Sequence, residues 1–294
     1  MKQAGERFRS AVEHHNALAI VGVVNAYTAL LAQQAGHHAL YLSGAGIANS
    51  CFALPDLGLT RLEDVEIEVQ RICARIDLPL LVDADTGWSD PGETARRLST
   101  AGAAAMHIED QIENKRCGHR PNKTLVPPKE MCARITAAVQ NSDRQAFVIM
   151  ARTDAFAVEG MDKAIERSLS YIDAGAEMIF AEALPDLQAF KYFCRHVPVP
   201  ILANMTEFGK TTLYPRNELA AAGIAMTLYP LTAFRAMNAT AKRVYHHLID
   251  NQDQSALLAD MQTRAALYRT LDYESHEHAM DSTIKGQSEN EEER

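Results

Sequence analysis

A short basic loop contains the residue best suited to acid–base chemistry in this chain. The loop reads Lys115-Arg116-Cys117-Gly118-His119-Arg120 and surrounds one thiol with basic side chains. Positive neighbours favour the thiolate and lower a cysteine pKa from its usual value near ~8.5. Cys117 is therefore a candidate acid or base, the alternative being an incidental surface thiol. His119 is a candidate to orient the loop or polarise that thiol, the alternative being plain solvation.

Carboxylates follow several apolar runs of the kind that form buried strands. Asp83 and Asp85 follow one run, Glu109 the next, and Glu182 a later one. If these runs are parallel strands of a barrel, their carboxyl ends meet on one rim. Clustered negative charge requires a cation, and oxygen ligands without a His/Cys set favour Mg²⁺ or Mn²⁺. We expect Asp83 and Asp85 to bind the ion from one side, with Glu109 and Glu182 around them.

Other interpretations of the same residues stay open at this point. Asp83 and Asp85 could instead cap the next helix, and Glu182 could be a solvated loop carboxylate. Asn204 could simply turn the chain. His107 sits inside an apolar run, which favours a core histidine over a metal ligand.

Two arginines indicate the kind of substrate. Arg152 follows the fifth apolar run and Arg235 lies beyond the eighth, and guanidinium groups near a metal suit a substrate with several carboxylates. A metal, two arginines and a thiol suggest carbon–carbon bond chemistry on an α-hydroxy or α-keto acid. The metal would act as a Lewis acid, and Cys117 would protonate the carbanion.

A repeated pattern predicts the fold that positions these residues. Ala-Gly ends an amphipathic segment at residues 35–36, 101–102, 174–175 and 222–223, each followed by an apolar run. Glycine just past a helix end closes the last turn, and a continuous apolar run suits a strand buried on both faces. Eight such runs are present, at 20–24, 39–42, 80–82, 104–108, 147–150, 178–180, 201–203 and 224–228. They favour an α/β (β/α)₈ TIM-type barrel.

The C-terminal part predicts more helix than a barrel needs. Residues 233–249 and 254–271 are helical by period and composition. No linker rich in Pro, Gly or Ser marks an internal boundary. We therefore expect one domain over residues 1–285 and a disordered acidic tail over residues 286–294.

Composition excludes several classes of protein. The 294 residues are 47% hydrophobic, and 29 Lys and Arg against 38 Asp and Glu give a net charge of −9. Without a basic run, nucleic acid is not an expected partner. No signal peptide and no apolar stretch of about 18 residues is present, so neither a membrane nor export is expected and the prediction is cytoplasmic. The five scattered cysteines fit reduced thiols, and no dinucleotide-binding glycine motif follows the first run.

The motifs assembled so far resemble the isocitrate lyase and phosphoenolpyruvate mutase superfamily, and within it the 2-methylisocitrate lyases. The resemblance runs from about Phe8 to Tyr273. Its most specific motif is KRCGH at 115–119. The further matches are YLSGAG at 41–46, LPDLG at 54–58, LVDADTG at 81–87, HIEDQ at 107–111, GHRPNK at 118–123, MARTDA at 150–155 and TEFG at 206–209.

The resemblance implies a Mg²⁺-dependent retro-aldol cleavage of 2-methylisocitrate into pyruvate and succinate, in the methylcitrate cycle of propionate catabolism. It implies metal ligands at Asp83 and Asp85, a catalytic acid at Cys117, and a homotetramer whose terminal helix is exchanged between subunits. Tyr41 and Asp56 are candidates to handle the hydroxyl proton, and Phe180 and Leu228 to make room for the methyl group. The other implied substrate contacts are Ser43, Gly44, Ala45, Gly118, Arg152, Glu182, Asn204, Met205, Thr206, Arg235 and Arg264.

Two departures from the family pattern concern fine specificity. Ala45 replaces a glycine that is common in relatives, and Met205 replaces a common isoleucine. The alternative enzyme is an oxaloacetate or phosphonopyruvate hydrolase or decarboxylase of the same superfamily, which would not need the thiol. A non-enzymatic alternative is a metabolite-binding scaffold with Cys117 as a redox sensor.

Overall fold

The computed structural model describes residues 2–113, 118–120, 122–143 and 145–292, with side chains described to residue 282. The strands are β1 (Leu18–Val23), β2 (Ala39–Leu42), β3 (Leu80–Asp83), β4 (Ala105–Glu109), β5 (Val148–Thr153), β6 (Met178–Ala181), β7 (Ile201–Asn204) and β8 (Met226–Tyr229). The helices are α1 (Ala4–His14), α2 (Ala26–Gln34), α3 (Gly44–Phe52), α4 (Leu62–Cys73), α5 (Pro91–Thr100), α6 (Pro128–Gln140), α7 (Phe156–Glu159), α8 (Met161–Asp173), α9 (Leu187–His196), α10 (Arg216–Ala221), α11 (Thr232–Asn251), α12 (Arg264–Leu271) and α13 (Tyr273–Glu292), with a 3₁₀ helix at Ser255–Asp260.

The eight strands form one closed parallel barrel in chain order. Each strand pairs with the next, and β1 closes the barrel against β8 with Leu18 opposite Met226. All eight apolar runs became strands, which confirms the predicted (β/α)₈ class. The strands are almost entirely buried, as expected for parallel strands covered by helices on one face and by the barrel core on the other.

Alternation along the strands separates two cores. In β1, Leu18 and Ile20 belong to the core inside the barrel, while Val23 belongs to the core between barrel and helices. The inner core also contains Phe8 and Val12 of α1. Helix α1 reaches the barrel backbone closely, since a Cβ on Gly5 would lie 2.7 Å from the Ala146 carbonyl. Helix α1 therefore packs its apolar face against the barrel interior.

The Ala-Gly pattern marks helix ends as predicted. Gly36, Gly102, Gly175 and Gly223 have φ values of 85°, 104°, 110° and 97°, in the left-handed region that favours glycine. Each follows a helix that ends at the preceding alanine cap. The Ala-Gly pairs in the sequence therefore mark the positions where the backbone becomes left-handed after a helix.

Two compact units divide the chain at residues 1–236 and 237–294. In the second unit, Arg243 and Asp260 form an ion pair at 2.8 Å, and the rings of Tyr268 and Tyr273 stack. The predicted helix over 254–271 is split into the 3₁₀ helix and α12, because Thr263 starts a new helix by accepting a hydrogen bond from the Ala266 N–H. The predictions of one domain over residues 1–285 and of a disordered tail after it stay predictions.

Among the described residues, none of the helices has the length and apolar character needed to cross a bilayer.

Replacing Phe8 tests the contribution of α1 to the barrel. Phe8 is fully buried in the inner core, so Phe8→Ala should lower the free energy of unfolding by about 3 to 5 kcal/mol. Urea unfolding followed by circular dichroism measures this loss. The control is Phe52→Ala, which removes a side chain that is 46% exposed and should cost about 1 kcal/mol or less. Equal losses in the two variants would mean that α1 does not seal the inner core.

Candidate active site

A cavity of about 370 Å³ opens where the strands end. It brings together most of the predicted site residues. The predicted residues that line it are Tyr41, Ser43, Ala45, Asp56, Asp83, Gly118, His119, Arg152, Phe180, Glu182, Asn204, Thr206, Leu228 and Arg235. Residues that the sequence analysis did not assign to the site also line it, namely Arg120, Glu207, Phe208, Gly209, Pro230 and Leu231. Cys117 lies outside the described residues.

The alternation of the strands explains why these side chains point inward. Leu81, Met150 and Met178 belong to the inner core, so the residues two positions later, Asp83, Arg152 and Phe180, face the same interior. The inward side chains of each of these strands are thus apolar along the strand and functional at its carboxyl end. The clustering of the predicted residues at the rim therefore follows from the two-residue period of a strand.

Arg152 is the centre of the site's charge network. Its guanidinium is 3.1 Å from Asp154, 3.2 Å from Glu109 and 3.2 Å from Glu182, and it lies 5.1 Å from the Phe180 ring centroid. Burial opposes its charge, but the surrounding carboxylates raise the pKa of Arg152 well above its ordinary value. Arg152 therefore stays positively charged while it is buried.

Glu182 is ionised in spite of its burial. Burial alone would raise its pKa, but Arg152 and His119 outweigh that effect and lower the pKa of Glu182 to about 2. His119 Nε2 lies 3.0 Å from Glu182 Oε1, while His119 Nδ1 accepts a hydrogen bond from the Lys210 N–H at 2.9 Å. Since Nδ1 is an acceptor, the proton of His119 is on Nε2 and faces the carboxylate. Glu182 is therefore not a solvated loop residue.

Two glycines let loops approach this pair. A Cβ on Gly118 would lie 2.5 Å from both Arg152 Nη2 and Glu182 Cγ, and a Cβ on Gly209 would lie 2.8 Å from His119 Nδ1. Real Cβ atoms do not come so close, so larger residues would displace the loops. The segment after Cys117 therefore packs directly on the Arg152–Glu182 pair.

Asp83 and Asp85 converge on one small space beside Gly44. Asp83 Oδ2 accepts hydrogen bonds from Tyr41 Oη at 3.2 Å and from the Gly44 N–H at 3.0 Å, and Asp83 Oδ1 accepts one from the Asp85 N–H at 3.1 Å. A Cβ on Gly44 would lie 3.2 Å from Asp83 Oδ2 and 3.3 Å from Asp85 Oδ1. Neither carboxylate caps α5, which Asp90 caps instead.

The donor set of this space suits a hard divalent ion. Both groups offer carboxylate oxygens, and among the described residues no three His, Cys, Asp or Glu side chains are arranged to hold a metal. Mg²⁺ commonly binds through one or two carboxylates and keeps several waters. The residues present therefore fit Mg²⁺.

His107 lies in the barrel interior beneath the cavity. It is fully buried, its Nε2 is 3.0 Å from the Tyr41 hydroxyl, and its ring meets the edge of Phe180 at 5.2 Å. This position agrees with the predicted core histidine. The contact with Tyr41 also links His107 to the floor of the site.

Three further predicted residues lie in the outer core, beside Arg152 and in the second unit. Met205 points into the core between barrel and helices, so its side chain does not line the cavity, because Asn204 takes the inward position. Glu109 contacts Arg152 from below. Arg264 begins α12 in the second unit.

Glu207, Phe208 and Lys123 were missed as functional candidates. Glu207 Oε2 lies 3.4 Å from Arg235 Nε, and Glu207 Oε1 accepts a hydrogen bond from the Thr232 hydroxyl. Phe208 is 94% exposed and its ring lies 5.6 Å from Arg235 Cζ. The TEFG motif contained two of these three residues, so the sequence carried a signal for them. Lys123 gave none beyond its place in the GHRPNK motif.

Comparisons with known proteins identify the family. A family model described as phosphoenolpyruvate phosphomutase matches residues 8–249. The chain belongs to the phosphoenolpyruvate phosphomutase family. Among relatives, it is 52% identical over 286 residues to the 2-methylisocitrate lyase of Vibrio cholerae, a match that covers 94% of this chain and 93% of that protein. It is 50% identical to the 2-methylisocitrate lyase of Escherichia coli, with 95% of both chains covered.

A solved structure shows that the family likeness extends to the whole fold. The crystal structure of 2,3-dimethylmalate lyase, a PEP mutase/isocitrate lyase superfamily member, superposes with a TM-score of 0.87 at 31% identity. The match covers 96% of both chains. The barrel fold described above is therefore shared with 2,3-dimethylmalate lyase.

The depressed pKa of Glu182 predicts a pH-dependent contribution to stability. Its folded pKa of about 2 lies below the ordinary value of 4.5, so ionised Glu182 stabilises the fold fully above about pH 5, and this contribution is lost as the pH falls toward 2. In metal-free buffer, the difference in unfolding free energy between wild type and Glu182→Gln should shrink steadily over that range. Urea unfolding at successive pH values measures it.

The matched control for this experiment is Glu166→Gln. Glu166 is an exposed carboxylate paired with Lys163, and exposed pairs contribute little to stability. Its curve should follow the wild type within about 0.5 kcal/mol at every pH. A pH-independent difference for Glu182→Gln would contradict the ion pairing of Glu182 with Arg152.

Proposed function

We propose that this protein is a 2-methylisocitrate lyase that cleaves 2-methylisocitrate into pyruvate and succinate in the methylcitrate cycle. The observation that carries the proposal is the 52% identity to a 2-methylisocitrate lyase over 94% of this chain. The cavity supports it independently, because it combines guanidinium groups, carboxylates and an apolar wall. These are the groups that a methylated tricarboxylate requires.

Positive groups bind the carboxylates of the substrate, and apolar groups bind its methyl. Arg152 and Arg235 are on the cavity wall, with the start of α3 at Ser43 and Ala45 beside them. The N–H groups at a helix N-terminus suit a carboxylate. At α3 those of Gly44 and Gly46 donate to Asp83 and Ser43, so the Ala45 N–H is the group that binds the pyruvate half. Phe180 and Leu228 form the apolar side and accommodate the methyl group. Asn204 and Thr206 bind the remaining polar atoms.

Asp83 and Asp85 would hold Mg²⁺ through their carboxylate oxygens, the ligands that this ion prefers. When bound, Mg²⁺ supplies Lewis-acid stabilisation of negative charge on the keto-acid half. Gly44 suits this position because a Cβ there would make tight contacts with both carboxylates, at 3.2 Å from Asp83 Oδ2 and 3.3 Å from Asp85 Oδ1. Glu109 and Glu182 keep the surroundings of the ion negative.

The bond that breaks is the C2–C3 bond of the substrate. A base removes the C2 hydroxyl proton, C2 becomes the carbonyl carbon of pyruvate, and the electron pair passes to C3. Tyr41 and Asp56 line the cavity and are the two candidates for this base. The Cys117 thiol then gives its proton to C3 to form succinate, and the proton held by the base restores the thiol.

The protein works as a cytoplasmic homotetramer with a terminal helix exchanged between subunits. Support comes from the second unit, whose helices expose the large apolar side chains Tyr245, Ile249, Leu258 and Met280. Exposed apolar side chains of this size are typical of association surfaces. The described cysteines are free, which fits a reducing compartment.

Turnover by wild type and Cys117→Ser tests the proposed reaction. Wild type should release pyruvate from 2-methylisocitrate, with slower turnover of isocitrate and none of oxaloacetate. Cys117→Ser should lower kcat by about 10² or more, because a serine hydroxyl is a much weaker acid. Cys51→Ser removes an exposed thiol and should retain wild-type activity. Undiminished turnover by Cys117→Ser would remove the thiol from the mechanism.

Metal removal tests the second part of the proposal. Excess chelator should abolish pyruvate release, and added Mg²⁺ should restore it. Asp85→Asn should raise the Mg²⁺ concentration needed for half-maximal activity by about tenfold or more, because one ligand loses its charge. Titration of activity with Mg²⁺ measures this shift. Full activity in chelator would exclude a required divalent ion.

A further inference from the structure

Lys123 lies at the base of the loop that carries the thiol. The two arms of that loop pair at their base. The Ile112 N–H donates to the Thr124 carbonyl at 3.0 Å, and the Val126 N–H donates to the Asp110 carbonyl at 2.9 Å. An antiparallel bridge joins Gln111 and Leu125 between them. Lys123 is the last residue of the loop before this paired stem.

The Lys123 ammonium is buried and holds two groups together. Its side chain is only 1% exposed. Lys123 Nζ donates to the Gly118 carbonyl at 2.6 Å and to Asp154 Oδ1 at 2.7 Å. A buried charge is stable only when it is paired and hydrogen-bonded, and both contacts depend on the present loop position. The ammonium therefore clamps the loop to the end of β5.

Both ends of this clamp lead to the charge network of the site. Gly118 packs on Arg152 Nη2 and Glu182. Asp154 Oδ2 pairs with Arg152 Nε at 3.1 Å. A single ammonium thus links the loop both to the guanidinium that binds substrate and to the surface on which the loop rests.

Asp154, the residue at the end of β5 that pairs with Lys123, is held in place by Asp110. The Asp154 N–H donates to Asp110 Oδ1 at 2.9 Å. Asp110 Oδ2 accepts from the hydroxyls of Thr153 at 2.7 Å and Tyr171 at 2.8 Å. Asp110 also belongs to the paired stem of the loop. The stem, Asp154 and Lys123 are therefore joined by one continuous set of hydrogen bonds.

We propose that Lys123 is a positioning residue of the active site. It holds Gly118, the residue that follows Cys117 in the sequence, and with it His119 against the Arg152–Glu182 pair during the reaction. Lysine suits this role because its ammonium has three donors at the end of a long stem. This inference rests on the proposed lyase function, and the experiments below separate the two.

Lys123→Met keeps the apolar part of the buried side chain and removes the hydrogen bonds to the Gly118 carbonyl and to Asp154. A displacement of about 1 Å in a catalytic loop costs roughly 10² in rate, so kcat for 2-methylisocitrate should fall by about 10 to 100-fold. KM should change less than about threefold, because Arg152 and Arg235 remain. The control Lys163→Met removes an exposed lysine paired with Glu166 and should leave both constants unchanged. Lys123→Gln, which retains amide donors, should be intermediate and serves if Lys123→Met does not fold.

A double-mutant cycle with His119→Asn separates positioning from general damage. If Lys123 acts through the loop, Lys123→Met should reduce kcat much less in the His119→Asn background than in wild type. If the fold-reduction of kcat in the double variant equals the product of the two single fold-reductions, the proposal is overturned. Equal melting temperatures of the single variants check that the fold is retained.

Amide hydrogen exchange gives a readout that does not need turnover. Peptides covering residues 118–126 should exchange faster in Lys123→Met than in wild type or Lys163→Met, while peptides from β5 stay protected. Faster exchange in Lys123→Met, together with a wild type that does not cleave 2-methylisocitrate, would keep the clamp and reject the lyase function. Unchanged exchange and unchanged kcat in an active enzyme would reject the clamp.

Discussion

The burial of Arg152 among carboxylates is the interaction on which the rest of the site depends. The Arg152 guanidinium is enclosed by Glu109, Asp154 and Glu182. These carboxylates offset the cost of its burial, and Arg152 in turn lowers the pKa of Glu182. With Asp83 added, the carboxylates outnumber the cations at this rim. Some of this excess is balanced by Lys123, and the remainder makes the rim attractive to a divalent ion. The charge balance, rather than any single residue, therefore makes the rim fit for metal and anionic substrate together.

The barrel stabilises this buried charge because it keeps charged groups and apolar packing in separate layers. Below the rim, the inward positions are apolar, and α1 adds Phe8 and Val12 to the same inner core. His107 is the transition between the two layers, since its ring packs on Phe180 while its Nε2 meets Tyr41. Solvent therefore reaches the reacting groups from the rim side, where the loops carrying Gly118 and Gly209 meet.

Sequence reasoning predicted the strands and most of the rim because both follow from local periodicity. Apolar runs that follow an Ala-Gly helix end identify parallel strands, and residues just past each run must lie at the rim. The same rule, applied with period two, would have placed Met205 in the outer core once Asn204 was assigned inward. Lys123 could not be found this way, because its role depends on a loop that folds back five residues to reach Gly118. The split at Thr263 also depends on a single side-chain cap rather than on periodicity.

Charge alone does not explain a preference for a methylated substrate. An apolar pocket discriminates by one methyl group to the extent of about 1 to 3 kcal/mol, and here the wall formed by Phe180 and Leu228 is shared with the charged network, since Arg152 lies 5.1 Å from the Phe180 ring. That ring therefore contacts both Arg152 and His107. A change that moves Arg152 should therefore also move the Phe180 wall to which the proposed function assigns the methyl group. Under that proposal, recognition of the carboxylates and recognition of the methyl group are coupled through one aromatic ring, so loops that fix Arg152 influence specificity as well as rate.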